Sequence, residues 1–346
     1  MFWTKGGYHQ EKSRQFGDED NDDEKPTRLE LQRALQIKRA AQDDPTIADD
    51  AISDWEFLQH AIVSKDQTSK ALDRLRNLQA FKDRYGIKLD GSVDEAVRDL
   101  QIFLQTHPEF YLSLSDGEKI GTKQTAERKK SLEAKKPSLE SSTTVSSSST
   151  TDNEHLLQQP QILCFLYKGF NAKVMNHEEA FCIYMRAAFY ALNASQHNLA
   201  ALRGGLAVYI DCADMSIRQN YSRLTEQRAR QLYVGAYPVR VHEFAMLNVF
   251  CLMRWSYRLI KPFLSPKIVQ LLRMEDNSTE FLHSRSSASN HSDASIRVTL
   301  PKDALPKAWG GTRRVEDFAP TILKRLRQRY RAIATFRLDD FLESAN

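Results

Sequence analysis

The sequence of 346 residues predicts an α/β fold, a mainly parallel sheet flanked by helices and preceded by a small helical N-terminal region. Three observations predict it. Between residues 159 and 312, short apolar runs alternate with amphipathic stretches, the pattern of strand–helix–strand units. Those runs are apolar on both faces, as strands of a parallel sheet covered on two sides must be. From 27 to 116, apolar residues recur every three or four positions instead, which is helical spacing.

Residues 1–26 are polar and end in the acidic run Asp18–Glu24, so they read as a disordered arm. In the helical region, Trp55, Leu58 and Ile62 form one stripe, Ala71, Leu75, Leu78 and Tyr85 a second, and Val93, Val97, Leu100 and Leu104 a third. Ser92 and Glu95 have capping-box spacing. Residues 117–158 break the pattern. Lys129, Lys130, Lys135 and Lys136 precede a stretch, 141–151, in which every residue except Val145 is Ser or Thr. Such a segment buries too little apolar surface to offset its ordering entropy and reads as a disordered insertion.

Ile162–Tyr167 is a strand. His177–Leu192 is a helix, with Asn176 and Glu179 placed to cap it. After Gly204-Gly205 comes a second strand, Leu206–Ile210. Ser222–Val234 is helical, Val239–Asn248 is the third strand, Cys251–Lys261 is a helix and Ile296–Leu300 a fourth strand. Pro262 ends the helix before it, and Ser265 with Pro266 starts another, about Ser265–Met274. This short apolar-faced helix lies between a proline break and a serine-rich stretch, 275–295, read as a flexible insertion, so it is a candidate moving part.

Composition excludes several classes. Net charge is +4, too small to argue for nucleic acid. Mean hydropathy is −0.54 and no run is long and apolar enough to span a bilayer. Cys164, Cys182, Cys212 and Cys251 are far apart and read as reduced packing residues, so no metal site is expected. Asp211, at a strand end, reads as the cap of a turn. No nucleophile–base pattern, dinucleotide fingerprint or phosphate loop occurs, so catalytic residues are not assigned and the chain is expected to be no enzyme.

Four pieces occur in a telling order: Leu206-Ala-Val-Tyr-Ile-Asp211, then Tyr237-Pro-Val-Arg240 leading to Leu247-Asn248, then Lys261-Pro-Phe-Leu-Ser265, then Leu305-Pro-Lys-Ala-Trp-Gly-Gly311. Together they resemble the CRAL-TRIO (Sec14-like) lipid-binding domain, and within it the tocopherol- and retinal-transfer branch. The resemblance covers about 160–312 and extends more loosely to 50–116 through Lys70-Ala-Leu-Asp-Arg-Leu-Arg76.

The resemblance implies a sheet that floors an apolar pocket, closed by a gate helix after Lys-Pro-Phe-Leu. Candidate lining residues are Tyr167, Tyr184, Phe189, Ile210, Leu247 and Phe250. Met253, Phe263, Leu264, Ile268 and Leu271 belong to the same set. Relatives that bind phosphatidylinositol have Glu where Val239 stands, which argues against that cargo. Arg240 and Lys267 match two basic positions that relatives use on phosphoinositide membranes. Leu271 replaces a third, and Lys65 is what remains of a basic run in the N-terminal helices. The implied protein is a monomeric cytoplasmic carrier of a small hydrophobic lipid, with no other cofactor, transient membrane contact and no nucleic acid. The alternative is a scaffold of the same fold that exchanges no cargo. The tail, 313–346, is expected to be a basic amphipathic helix. Phe318, Ile322, Leu326 and Tyr330 mark its apolar stripe, and Lys324, Arg325, Arg327, Arg329 and Arg331 crowd it. Docking on the domain and lying on an anionic membrane are both compatible with that pattern.

Overall fold

The structure, a computed structural model, describes residues 25–48, 52–88, 93–106, 110–113, 161–166, 170–263, 266–286, 305, 307–312 and 314–343. The acidic run, the Lys/Ser/Thr-rich stretch, the Ser92 cap and the expected strand Ile296–Leu300 lie outside them.

Four helices open the described chain: α1 (Arg28–Gln42), α2 (Asp54–Ser64), α3 (Thr68–Tyr85) and α4 (Val93–Thr106). Capping boxes start the first two. Thr27 and Glu30 exchange backbone hydrogen bonds at α1, and Ser53 and Glu56 do so at α2. The three sequence stripes are buried, with Leu58, Leu75 and Leu100 all at 0% exposure.

Five strands form one sheet in sequential order: β1 (Phe110–Ser113), β2 (Gln161–Leu166), β3 (Leu206–Asp211), β4 (Val241–Leu247) and β5 (Leu272–Met274). β1 is antiparallel to β2 and the other pairs are parallel. The crossovers are helical. α5 (Glu178–Ser195) and α6 (Leu199–Gly204) join β2 to β3. α7 (Ile217–Asn220) and α8 (Arg223–Arg230), prolonged as a wide turn to Ala236, join β3 to β4. α9 (Cys251–Ile260) and α10 (Pro266–Leu271) join β4 to β5. After the sheet come α11 (Ser278–Ser286), α12 (Ala319–Thr335) and α13 (Asp340–Glu343).

Several expectations change. The helix placed at 265–274 ends at Leu271, and its last three residues are β5, paired with Phe244, Ala245 and Met246. The open edge of β4 offers a ladder of bonds that the final turn of so short a helix cannot match. The stretch 275–295 is not flexible throughout: α11 forms, and Phe281 and Leu282 are buried. Asn176 does not cap α5. His177 occupies the cap position, and the Asn176 side-chain Oδ1 accepts from the Ser222 hydroxyl at 3.2 Å.

The C-terminal helix α12 is docked. Its apolar stripe is buried, and so are two of the arginines assigned to its polar face, Arg325 and Arg329. Arg325 donates to Gln161 of β2 at 2.7 Å. Arg329 donates to Asn193 of α5 at 3.2 Å and to Gln59 of α2, and its guanidinium lies 5.1 Å from the centre of the Trp55 ring. Nearby, Lys82 and Glu56 form a buried pair at 2.7 Å. Desolvation favours the neutral lysine, and Glu56 opposes it. A helix with these groups turned inward cannot lay them on a membrane. Of its cations, Lys324, Arg327 and Arg331 alone remain on its outward face.

Asp211 joins three separate parts of the chain. Its Oδ1 accepts from the Ala213 amide at 2.9 Å and the Asn248 side-chain amide at 2.8 Å, and its Oδ2 accepts from the Trp309 indole at 2.7 Å. Asn248, with φ of 53°, also accepts from the Ser278 amide at 3.0 Å. The turn holding Trp309 admits only glycine at 311, since a Cβ there would stand 2.0 Å from the Leu305 carbonyl oxygen. Replacing Asp211 by Ala strands these donors. The expected loss is about 3 kcal/mol of folding free energy, read from urea unfolding.

Burial holds the imidazoles of His60 and His197 neutral, each down at about 3. The unfolded chain therefore takes up these protons first as pH falls below ~6.5, and stability drops across that window toward 3. At pH 5 the penalty is about 2 kcal/mol for each histidine. His60→Leu should flatten the decline of the unfolding midpoint between pH 7 and 5, and an unchanged slope would contradict the assignment.

Candidate functional site: the half-covered face of the sheet

The two faces of the sheet differ. On one face, Ile162, Ala207 and Glu243 form a row, and Cys164, Tyr209, Ala245 and Arg273 form the next. All but Arg273 are buried. This face holds a polar cluster: the Tyr209 hydroxyl donates to Glu243 at 3.1 Å, and Arg273 pairs with Glu243 at 3.0 Å. On the other face, Leu163, Val208, Phe244 and Leu272 lie side by side, and Phe165, Ile210, Met246 and Met274 lie beside them two residues on. Leu163 and Val208 are buried, whereas the other six are only half-buried. These two rows contain no polar side chain.

α10 lies against β4 and β5. Leu271 is half-buried and Ile268 is 48% exposed. α9 is apolar on two stripes. Met253 and Tyr257 are half-buried, while Leu252, Trp255 and Leu259 are 52%, 58% and 54% exposed. From Cys251 to Met274 there is no Asp or Glu, against five Lys or Arg. Arg254 pairs with Asp276, just beyond β5. The backbone continues this anchoring, with Glu275 donating to Met246 at 2.9 Å and accepting from Val249 at 3.2 Å.

Of the residues chosen from sequence, Ile210 lies on the half-covered face, Leu271 and Ile268 lie on α10, and Phe250 and Met253 stand half-buried at the start of α9. Three others belong elsewhere. Leu247 is fully buried on the opposite face, one residue out of phase with Met246. Phe189 stacks on Phe81 of α3, centroids 6.0 Å apart, and Tyr184 packs on Phe103 of α4 at 5.9 Å. Both rings are core between α5 and the N-terminal helices. Tyr167 and Leu264, and the side chains of Phe263 and Lys267, lie outside the described residues.

Phe165, Phe244, Met246, Leu272 and Met274 were missed. Counting by twos from Ile210 and matching parallel neighbours would have found the middle three strands' members, because the central rows of that face are apolar. β5 hid the rest by reading as helix.

Arg240 and Lys65 do meet, at the C-terminus of α2. Arg240 donates to the Ile62 carbonyl at 3.2 Å, and Lys65 is the exposed C-cap. Cations are favoured there because the last carbonyls of a helix are unpaired. Next to this site the Tyr-Pro turn is tied to α2, with Gln59 donating to the Pro238 carbonyl at 3.0 Å.

Other chemistry is sparse. Asp211 is fully engaged as a structural acceptor. Cys212 is buried, and burial followed by the Asp211 charge pushes its thiol up to about 12, which makes it a poor nucleophile. Among the described residues no cluster of His, Cys, Asp or Glu could hold a metal, and no helix is long and apolar enough to cross a membrane. Two small hollows lie away from the sheet face. One of about 130 Å³ lies between α1 and α2, and one of about 250 Å³ borders Tyr85, Asp99 and Arg186.

Comparison with curated proteins finds no match. Among solved structures, one described as the crystal structure of Sfh5 aligns with 84% of this chain and 95% of its own, at 10% identity and a TM-score of 0.43. The family model of the CRAL/TRIO domain matches residues 158–311, which include β2 to β5, the half-covered face and the Asp211–Trp309 contact. The chain carries a CRAL/TRIO domain over these residues.

Proposed function

We propose that this protein carries an uncharged hydrophobic small molecule, of the tocopherol or retinoid kind, on the half-covered face of the sheet beneath α9 and α10, and passes it between membranes through that side. The observation that carries the reading is the pair of adjoining apolar rows, drawn from four strands, of which six side chains are left half-exposed. Surface of this kind favours an apolar guest at ~0.8 kcal/mol per buried CH₂, or roughly 10 kcal/mol for a twelve-carbon chain before ordering costs. A charged headgroup among these eight apolar side chains would lose its hydration for no partner.

The outer stripe of α9 supports the transfer step. Leu252, Trp255 and Leu259 on a segment free of acidic residues suit an anionic bilayer surface, which supplies apolar contact and opposite charge together. Membrane contact then stabilises a raised α9–α10 because their apolar faces meet lipid instead of water. The Asn248–Ser278 contact, which joins the chain before α9 to the chain past β5, gives such a movement fixed ends. Phosphoinositide recognition through Arg240, Lys65 and Lys267 has weaker support, since Arg240 already serves the end of α2. The reading makes the protein a binder, not an enzyme, that works in the cytoplasm with transient membrane contact.

Two substitutions test the cargo site and the docking face separately. Met246→Lys should remove the bound lipid mass seen by native mass spectrometry while the far-UV spectrum stays native. Retention of full occupancy by a folded mutant would move the cargo elsewhere, and a wild-type protein that never holds a lipid would favour the scaffold. Trp255→Asp should keep the cargo but slow transfer of a fluorescent lipophile between anionic vesicles about tenfold. Equal transfer rates would remove α9 from the membrane step.

A further inference from the structure

The half-covered face carries reactive sulfur. Met246 of β4 and Met274 of β5 are parallel partners in the sheet, and Ile210 is the partner of Met246 on β3. Strands about 4.8 Å apart set paired side chains of one face side by side, so two thioethers adjoin here. The Glu275 amide holds the register by donating to the Met246 carbonyl at 2.9 Å. Both methionines are half-buried, as are Met215 and Met253. Met175 and Met185, by contrast, are core residues at 2% and 0% exposure.

A thioether has no proton to lose, so access to its sulfur governs its oxidation to the sulfoxide. Oxidation turns a soft apolar side chain into a strong hydrogen-bond acceptor. The six other side chains of the two rows are hydrocarbon and offer that acceptor no donor. A sulfoxide on this face therefore holds water, and an apolar guest cannot cover it without leaving the acceptor unpaired.

We propose that Met246 and Met274 form a modification site, at which an apolar hydroperoxide of the kind that arises on unsaturated acyl chains empties the cargo face. Its consequence for cargo rests on the carrier reading given above. In each step the hydroperoxide gives its outer oxygen to a methionine sulfur. The O–O bond breaks and an S–O bond forms. The sulfur loses two electrons, and the hydroperoxide is reduced to the alcohol, its proton passing to the oxygen left behind. Burial of apolar surface draws such an oxidant to this face just as it draws the cargo. Reduction of the sulfoxides returns the face to its apolar state.

The test uses the full-length protein, with its thiols first capped by N-ethylmaleimide because Cys251 is exposed. Cumene hydroperoxide is then added. Peptide mass spectrometry locates the sulfoxides, and native mass spectrometry follows the bound lipid. Met246 and Met274 should gain oxygen at least ~10-fold faster than Met175 and Met185, and lipid occupancy should fall roughly tenfold in step with them. Methionine sulfoxide reductases should then restore lipid uptake. The double substitution Met246→Leu with Met274→Leu should remove the response to peroxide. If that variant takes up no lipid, Met215→Leu with Met253→Leu decides instead, because it leaves the pair in place and should keep the response. Slow oxidation of the pair, full lipid occupancy on protein oxidised at both sites, or a loss that tracks Met215 or Met253 would each overturn the proposal. Untreated protein that holds no lipid overturns the carrier reading, and the proposal falls with it.

Discussion

The carboxylate of Asp211 is the interaction on which the domain's geometry depends. It ends β3, and its two oxygens gather the turn after that strand, the side chain that follows β4 and an indole almost a hundred residues away. A single negative charge satisfied by three donors is a strong local constraint, because each donor is oriented and the group is nearly excluded from water. It fixes where β4 stops, and Asn248 then fixes where the chain re-enters after β5. The side chains of β3 and β4 are held in phase, so the central rows of one face carry Tyr209 and Glu243 while those of the other are apolar. The contacts of Asp211 therefore shape the sheet and its turns.

This division explains what could be read from the amino acids alone. The strands β2, β3 and β4 and the helices around them were legible because their periodicities are clean, and Asp211 was legible as a turn acceptor. The order of motif pieces identified the domain. The lining was only partly legible. Ile210 and Leu247 look equivalent in the sequence, and only the phase of the sheet separates them. Tyr184 and Phe189 look like pocket aromatics, yet the N-terminal helices supply Phe103 and Phe81 to pack on them. Leu272–Met274 read as helix because local propensity says nothing of the open strand edge beside it.

The arginine-rich tail shows the same limit from the other side. Helical spacing sets Arg325 and Arg329 beside the apolar stripe of Ile322 and Leu326 and sets Arg327 and Arg331 opposite it, but it names no partner for the buried pair. Their partners, Gln161, Asn193, Gln59 and the Trp55 ring, come from distant parts of the chain. Burying a guanidinium among amides and an indole is costly in desolvation, and hydrogen bonds from three elements are what make it tolerable. The reward is specificity of docking: a helix so engaged fits one place in one rotation.

That docking also sets an order of assembly. Gln59 meets Arg329, and the Leu338 amide meets Asp54, across more than 250 residues of intervening chain. The compartment opened by the first helices is closed only by the last. On a ribosome, α2 and α3 emerge with an unfinished interior and must wait for nearly the whole polypeptide before Trp55 and Lys82 find their final surroundings. Contacts that close so long a loop pay a large closure entropy before they form.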